Sequence, residues 1–174
     1  YQKGSWCLGW IPPDLGGGIE CFLEVTKLDP KHAGAWNDLA DAYVKRMHDE
    51  DFGKAVKCYD EAIALSPDNS SLYAIKADLF SKCVKQSEWW YRGTDSDLKK
   101  KYSSGKDALM CYDKALEIKP KYGYASYKKG MLLERLSRYD EALECFENSS
   151  YDENVWNSNQ LHKQALRDKL KPNE

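Results

Sequence analysis

The sequence predicts an all-α chain built from repeated helix pairs, and three observations carry that expectation. A ten-residue segment recurs: CFLEVTKLDP from Cys21, CYDEAIALSP from Cys58 and CYDKALEIKP from Cys111, with ECFENSS from Glu144 as a worn fourth copy. Within each copy the apolar and small residues keep helical spacing. Ala55, Tyr59, Ala62 and Ile63 fall at i, i+4, i+7 and i+8, which lays one apolar stripe along a helix face. Upstream of the later copies stands an aromatic residue followed by a small one: Trp36 and Ala40, Tyr73 and Ala77, Tyr127 and Gly130. Small residues let two helix axes approach closely, and the aromatics fill the space around the crossing.

The elements follow in chain order. The first unit covers roughly 1–32. Its opening YQKG, Tyr1 to Gly4, nearly repeats YKKG at Tyr127 to Gly130. IPPDLGGG then intervenes: Pro12 and Pro13 bar helix and Gly16 to Gly18 read as a turn, so the first helix is expected to be short or irregular. The second helix carries Gly18, Phe22 and Val25 and stops before Pro30. The second unit, 33–69, pairs AWNDLADAY with the Ala55–Tyr59–Ala62 stripe and ends at Pro67. Three extra residues around RMHDED predict a longer turn between its helices. The third unit, 70–122, pairs LYAIKADLF with Ala108, Tyr112 and Ala115 and ends at Pro120. In the fourth, 123–156, Ala142 and Phe146 keep the pattern, while Ser149 replaces the third small residue and Asn154 the proline. A proline ends each of the first three because it cannot continue a helix and restricts the residue before it. NVWNSNQLHKQALRDKLK, about 155–171, reads as a terminal helix that covers the last apolar face, and Pro172 closes it.

Composition fits a folded chain. Of 174 residues 42% are apolar and 31% charged, which argues against disorder. The net charge of -2 supplies no overall basic field, so phosphate-driven binding of nucleic acid is disfavoured. No apolar run approaches the roughly 20 residues needed to span a bilayer. YQKGSWCLGW lacks the basic start and apolar core of a signal peptide, so a reducing, cytoplasmic setting is expected, and Asn69-Ser70-Ser71 and Asn148-Ser149-Ser150 read as chance sequons. The missing initiator Met is consistent with a piece of a longer protein.

These marks together resemble the tetratricopeptide repeat (TPR). Its pattern of tryptophan, leucine, glycine, tyrosine, alanine, aromatic, alanine and proline is matched by Trp36, Leu39, Ala40, Tyr43, Ala55, Tyr59, Ala62 and Pro67. The resemblance covers nearly the whole chain and implies a right-handed α-solenoid of about four helix pairs plus a capping helix. The 174 residues then form one domain. The family period is about 34 residues. The cysteine intervals here are 37, 53 and 34, so the third unit holds 19 extra residues within VKQSEWWYRGTDSDLKKKYSSG. A structureless loop of that length is uncommon in a compact domain. An extended helical hairpin is favoured, with Thr94 or Asp95 as its cap and Leu98 and Tyr102 on one face; an irregular lid is the alternative.

The aligned cysteines Cys21, Cys58, Cys111 and Cys145 invite a thiol reading that geometry excludes. Equivalent helices of successive units are about 16–20 Å apart, two interaxial steps of ~8–10 Å. A disulfide needs Cα atoms within ~7 Å, and zinc needs sulfurs ~2.3 Å from one ion. Cys58 at the edge of its stripe reads as a small hydrophobe. Cys7 and Cys83 have no ligand spacing around them, and His32, His48 and His162 are scattered, so no metal is expected. SSGKDAL lacks the glycine and the Ser/Thr of a phosphate loop and reads as a helix start. No catalytic constellation stands out, and neither an enzyme nor a cofactor is expected.

Function is then expected on surfaces. In the TPR family the first helix of each pair lines a concave groove. The resemblance assigns that groove Asn37, Asp38, Asp41 and Lys45, then Ala74, Ile75, Asp78 and Lys82, then Tyr124, Tyr127, Lys128, Met131, Glu134 and Arg135. Relatives that grip a chaperone's terminal carboxylate hold lysine and asparagine where Asn37 and Asp41 stand, and asparagine where Ile75 stands, so that clamp is disfavoured. An acidic-aromatic groove instead suits a peptide carrying Lys or Arg. A second surface is EWWYR: Trp89, Trp90, Tyr91 and Arg92 are the residue types of interface hot spots. Adjacent tryptophans on a helix point about 100° apart, so both are not equally buried on one face. One is expected to pack and the other to serve a partner or lie over the groove; the alternative is that both pack the extended hairpin onto its neighbours. The expected role is a non-enzymatic scaffold that binds a protein partner. The alternatives are a docking or regulatory module of a larger protein and self-association through residues 86–105.

Overall fold

A computed structural model of the chain describes residues 15–46, 50–84, 104–149 and 156–170. All regular secondary structure among them is helical. In order the helices are α1 (Leu15–Leu28), α2 (Ala33–Arg46), α3 (Asp51–Leu65), α4 (Ser70–Ser81), α5 (Lys106–Ile118), α6 (Gly123–Arg135), α7 (Tyr139–Asn148) and α8 (Trp156–Leu170). The described helices fall into two compact units, α1, α2 and α3 in the first and α5 to α8 in the second, with α4 divided between them after Leu72.

In the first unit α1 packs on α2, and α2 on α3. The α2–α3 pair closes over the residues that the repeat pattern marks: Leu39, Ala40, Tyr43, Ala55, Tyr59 and Ala62 are all buried. Phe22 of α1 is fully buried as well, worth roughly 2–3 kcal/mol relative to exposure. One sequence expectation is corrected here. Gly16 to Gly18 do not form a turn but lie in the first turn of α1, which starts at Leu15, two residues after Pro13. Gly18 is buried at the small-residue position four before Phe22. Close packing at that position outweighs the helix-propensity cost of about 1 kcal/mol per glycine.

Helix ends follow local chemistry. α1, α3 and α5 each stop two residues before a proline. The intervening Ser66 and Lys119 take φ/ψ of -142°/69° and -132°/88°, outside helical space. At the start of α2, the Ala35 backbone N–H donates to His32 Nδ1 at 3.2 Å, so His32 serves as the cap. Asn69 Oδ1 accepts from the Ser71 N–H at 3.1 Å and does the same for α4. Between α2 and α3, Arg46 holds Asp51 through two bonds, Nη2 to Oδ1 at 2.6 Å and Nε to Oδ2 at 2.9 Å.

In the second unit α5 packs on α6, α6 on α7 and α7 on α8. Gly130 of α6 lies against the Phe146 ring so closely that a Cβ there would come within 2.8 Å of it. Tyr127, Leu133, Ala142, Phe146 and Leu166 form the core around that crossing. α8 covers the last pair, as the expected capping helix should. His162 stacks on Phe146 with ring centroids 5.1 Å apart, and Asn159 Nδ2 donates to the Phe146 carbonyl at 2.7 Å near the open end of α7.

The cysteines behave as small hydrophobes. Among the described residues, Cys21, Cys58, Cys83, Cys111 and Cys145 are not joined in disulfides. Burial pushes the Cys58 thiol up to about 12 and that of Cys145 to about 11, so neither is poised as a thiolate.

Candidate partner-binding face

In the first unit the expected groove residues Asn37, Asp38 and Asp41 lie on α2, and all three are partly exposed. Asn37 Nδ2 donates to Asp38 Oδ1 at 3.4 Å, while Asn37 Oδ1 is buried without a hydrogen-bond donor. Asp41 does not stand free. Its Oδ1 accepts the hydroxyl of Tyr59, from the facing helix α3, at 2.5 Å.

The second unit repeats and extends that contact. Asp78, on α4, stands one residue after Ala77 as Asp41 stands one after Ala40. Its Oδ1 accepts the hydroxyl of Tyr112 from α5, and its Oδ2 accepts that of Tyr124 from α6. Burial first, and then the Asp78 carboxylate, hold the Tyr112 phenol well above its ordinary range. Burial, followed by the same hydrogen bond, raises Tyr124 too. Ser81, one helical turn after Asp78, donates its hydroxyl to the Asp78 backbone carbonyl at 2.9 Å.

The remaining residues on this list divide by exposure. Ile75, Tyr124, Lys128 and Met131 are partly exposed, whereas Ala74 is fully buried and Tyr127 nearly so. Tyr127 packs on Phe146, with centroids 5.7 Å apart, and edge-on to His162 at 5.9 Å. Lys128 Nζ lies 5.5 Å from the centre of the Tyr124 ring, a cation–π contact. Met131 leans on the Phe146 cluster. Glu134 is occupied by the capping helix, through His162 Nδ1 at 2.8 Å and Lys169 Nζ at 3.5 Å. Lys129, next to Lys128, pairs with Asp113 of α5 at 2.7 Å.

Sequence reasoning missed the tyrosine partners, Tyr59 and Tyr112, although a signal for them exists. Where the second helix of a pair carries tyrosine, the residue after the small one on the first helix is aspartate: Asp41 with Tyr59, Asp78 with Tyr112. Where the second helix carries Phe146, that residue is Met131, which packs on the same cluster. Hydroxyl goes with carboxylate, and bare ring with thioether.

Trp89, Trp90, Tyr91 and Arg92, and the choice between helical hairpin and lid for 86–105, lie outside the described residues up to Ser104. The expected first helix of the opening unit, and residues 47–49 of the expected longer turn, lie outside them as well. Among the described residues no cluster of His, Cys, Asp and Glu is suited to a metal ion, and no helix is long and apolar enough to cross a membrane.

Comparison with known proteins gives these helix pairs a family. Sequence models of the tetratricopeptide repeat match residues 14–70 and 111–144, together more than half of the chain. Over 134 residues the chain is 25% identical to a protein of Hordeum vulgare named probable UDP-N-acetylglucosamine–peptide N-acetylglucosaminyltransferase SPINDLY; the match covers 77% of the chain and 13% of that protein's length. Among solved structures it resembles the MamA RS-1 ArsTM double mutant, with TM-score 0.71, 13% identity, and coverage of 97% of this chain and 81% of that one. It also resembles the first TPR of Spaghetti (RPAP3) bound to the HSP90 peptide SRMEEVD, with TM-score 0.61, 15% identity, and coverage of 82% and 95%. These likenesses concern fold, an all-α solenoid of helix pairs. The two repeat matches, together with the paired helices and their buried small and aromatic residues, establish that the chain belongs to the tetratricopeptide repeat family.

Proposed function

We propose that the chain is a non-enzymatic protein-interaction scaffold whose partner, a peptide or a helix, lies along the first helices of its pairs. The observation that carries the proposal is the fixed orientation of the aspartates. Asp41 and Asp78 are each held by tyrosine hydroxyls at the same position of successive helix pairs. A hydroxyl donor does not neutralise a carboxylate, and an ionised carboxylate accepts about four hydrogen bonds. Both groups thus retain charge and acceptor capacity while their rotamers are fixed, which lowers the ordering cost of binding.

In the first unit Asp38 and Asp41, beside Asn37, and in the second Asp78, would meet a partner's Lys or Arg side chains; in the second, Ile75, Tyr124, Lys128 and Met131 would pack against its apolar ones. Ala74 and Tyr127 would support this face from beneath. The peptide complex of the Spaghetti relative supports a peptide ligand as the general class. The transferase activity named for the barley relative is not carried over, since the chain spans only 13% of that protein. Service as a docking module within a longer protein fits the same face.

The test is a peptide panel on the purified chain, each Lys- or Arg-bearing peptide paired with a version in which those residues are Glu. The proposal expects the basic members to bind and their affinity to fall at least ~10-fold on charge reversal. Equal binding of both versions, or binding confined to the acidic ones, would refute it.

A further inference from the structure

We infer that the segment between Val84 and Ser104 is an insertion into a helix pair already closed without it, so that the pair and its neighbours keep their fold when the segment is cut or replaced. The two flanks of the segment touch. Gly105, the residue before α5, is buried, and a Cβ placed on it would stand 3.2 Å from Val84 Cγ2 and 3.1 Å from Leu136 Cδ1. Val84 is itself only 1% exposed. The chain therefore leaves at Val84 and returns beside it at Gly105, with Leu136 of the following pair against the junction. The return needs glycine for a second reason: Gly105 has φ +73°, in the left-handed region.

A second, independent set of bonds spans the same gap. Asp78, six residues before Val84, accepts hydroxyls from Tyr112 and Tyr124, both beyond the segment. The uninterrupted α2–α3 pair carries the Asp41–Tyr59 bond at the same register. The third pair has thus formed the contact that marks a finished pair, and nothing described in it waits on residues 85–103. A loop closed at its base adds little to the free energy of closure as it lengthens, since the cost grows only with the logarithm of its length.

Two experiments test the inference. In one, residues 86–103 are replaced by three glycines. Cooperative thermal unfolding within ~4 °C of the full chain, with a helical circular-dichroism spectrum retained, is expected. In the other, a protease site is placed within 86–103 of the full chain and the folded protein is nicked. The two fragments are expected to co-elute on size exclusion and to melt together near the uncut midpoint. A shortened chain can fail because three glycines span the gap badly, and the nicked chain has no such difficulty. Separation of the fragments on nicking, or a fall in their midpoint of more than ~10 °C, overturns the inference. Gly105→Val serves as the control. It should lower the midpoint in both the full and the shortened chain, because it disturbs the junction itself.

Discussion

Asp78 accepts the hydroxyl of Tyr112, thirty-four positions later in the chain, and Asp41 accepts that of Tyr59, eighteen positions later, so one bond recurs across two successive helix pairs. It joins the first helix of each pair to the second beside the small residues that let their axes approach. The same carboxylates carry the charge proposed to recruit a partner, which gives them both a structural and a binding consequence.

The structural consequence is measurable by a double-mutant cycle. Tyr59→Phe, Asp41→Ala and the double variant should give a coupling of about 1.5–3 kcal/mol in urea unfolding, the range for a hydrogen bond to a charged group. Coupling near zero would show that the two side chains do not stabilise one another.

Alkaline titration tests the second bond. Folding raises the phenols of Tyr112 and Tyr124 above their unfolded value of about 10. A group raised in the folded state contributes stability that is complete below its unfolded value and is lost as pH climbs toward its folded value. Stability should therefore hold up to about pH 10 and fall above it, with the late-ionising tyrosines released as the chain unfolds. Tyrosine ultraviolet absorbance read beside circular dichroism will show this. Ionisation of every tyrosine near pH 10 with helicity intact would contradict it.

Two bidentate arginine pairs offer a contrast set by burial. Arg46 binds an Asp51 side chain that is 2% exposed, whereas Arg138 and Glu141 are each about half exposed. Arg46→Ala should destabilise by about 2–4 kcal/mol, because it strips a buried carboxylate of its bidentate cation; the partial exposure of Arg46 keeps this below the largest known cases. Arg138→Ala should leave the melting midpoint nearly unchanged, since exposed pairs contribute little. Equal effects would refute burial as the deciding factor.

Gly130 makes the tightest demand in the second unit. Alanine normally gains up to about 1 kcal/mol over glycine inside a helix. Here its Cβ would meet Phe146 at 2.8 Å, and overpacking of about 1–3 kcal/mol should outweigh the gain. Gly130→Ala is expected to lower the melting midpoint, and Phe146→Leu in the same chain should recover part of the loss.

Much of the fold was legible because its signals are local. Trp36 with Ala40, the Ala55–Tyr59–Ala62 stripe and the prolines at 30, 67 and 120 fix helix faces and ends within a few residues of themselves. Gly16 to Gly18 misled, since their local preference for a turn is overridden by the packing of α1. The Asp–Tyr bonds were hidden for the opposite reason: their partners lie 18, 34 and 46 positions apart, and only the helix pairing brings them together. Helical spacing alone also could not separate Ala74 and Tyr127, which are buried, from Ile75 and Lys128 beside them, which are partly exposed.

The account's central claim is that the oriented carboxylates of Asp41 and Asp78 attract a cationic protein segment, and one measurement tests it most directly. Asparagine removes the charge, and its single amide oxygen can still accept the Tyr59 hydroxyl at position 41 and one of the two tyrosine hydroxyls at position 78. A basic peptide selected from the panel is titrated by fluorescence anisotropy onto the wild-type chain and onto Asp41→Asn/Asp78→Asn, with melting midpoints taken on the same samples. The account predicts a loss of affinity of at least ~10-fold, shrinking at high salt, in a variant that remains folded at the titration temperature. Undiminished affinity in that folded variant would contradict it.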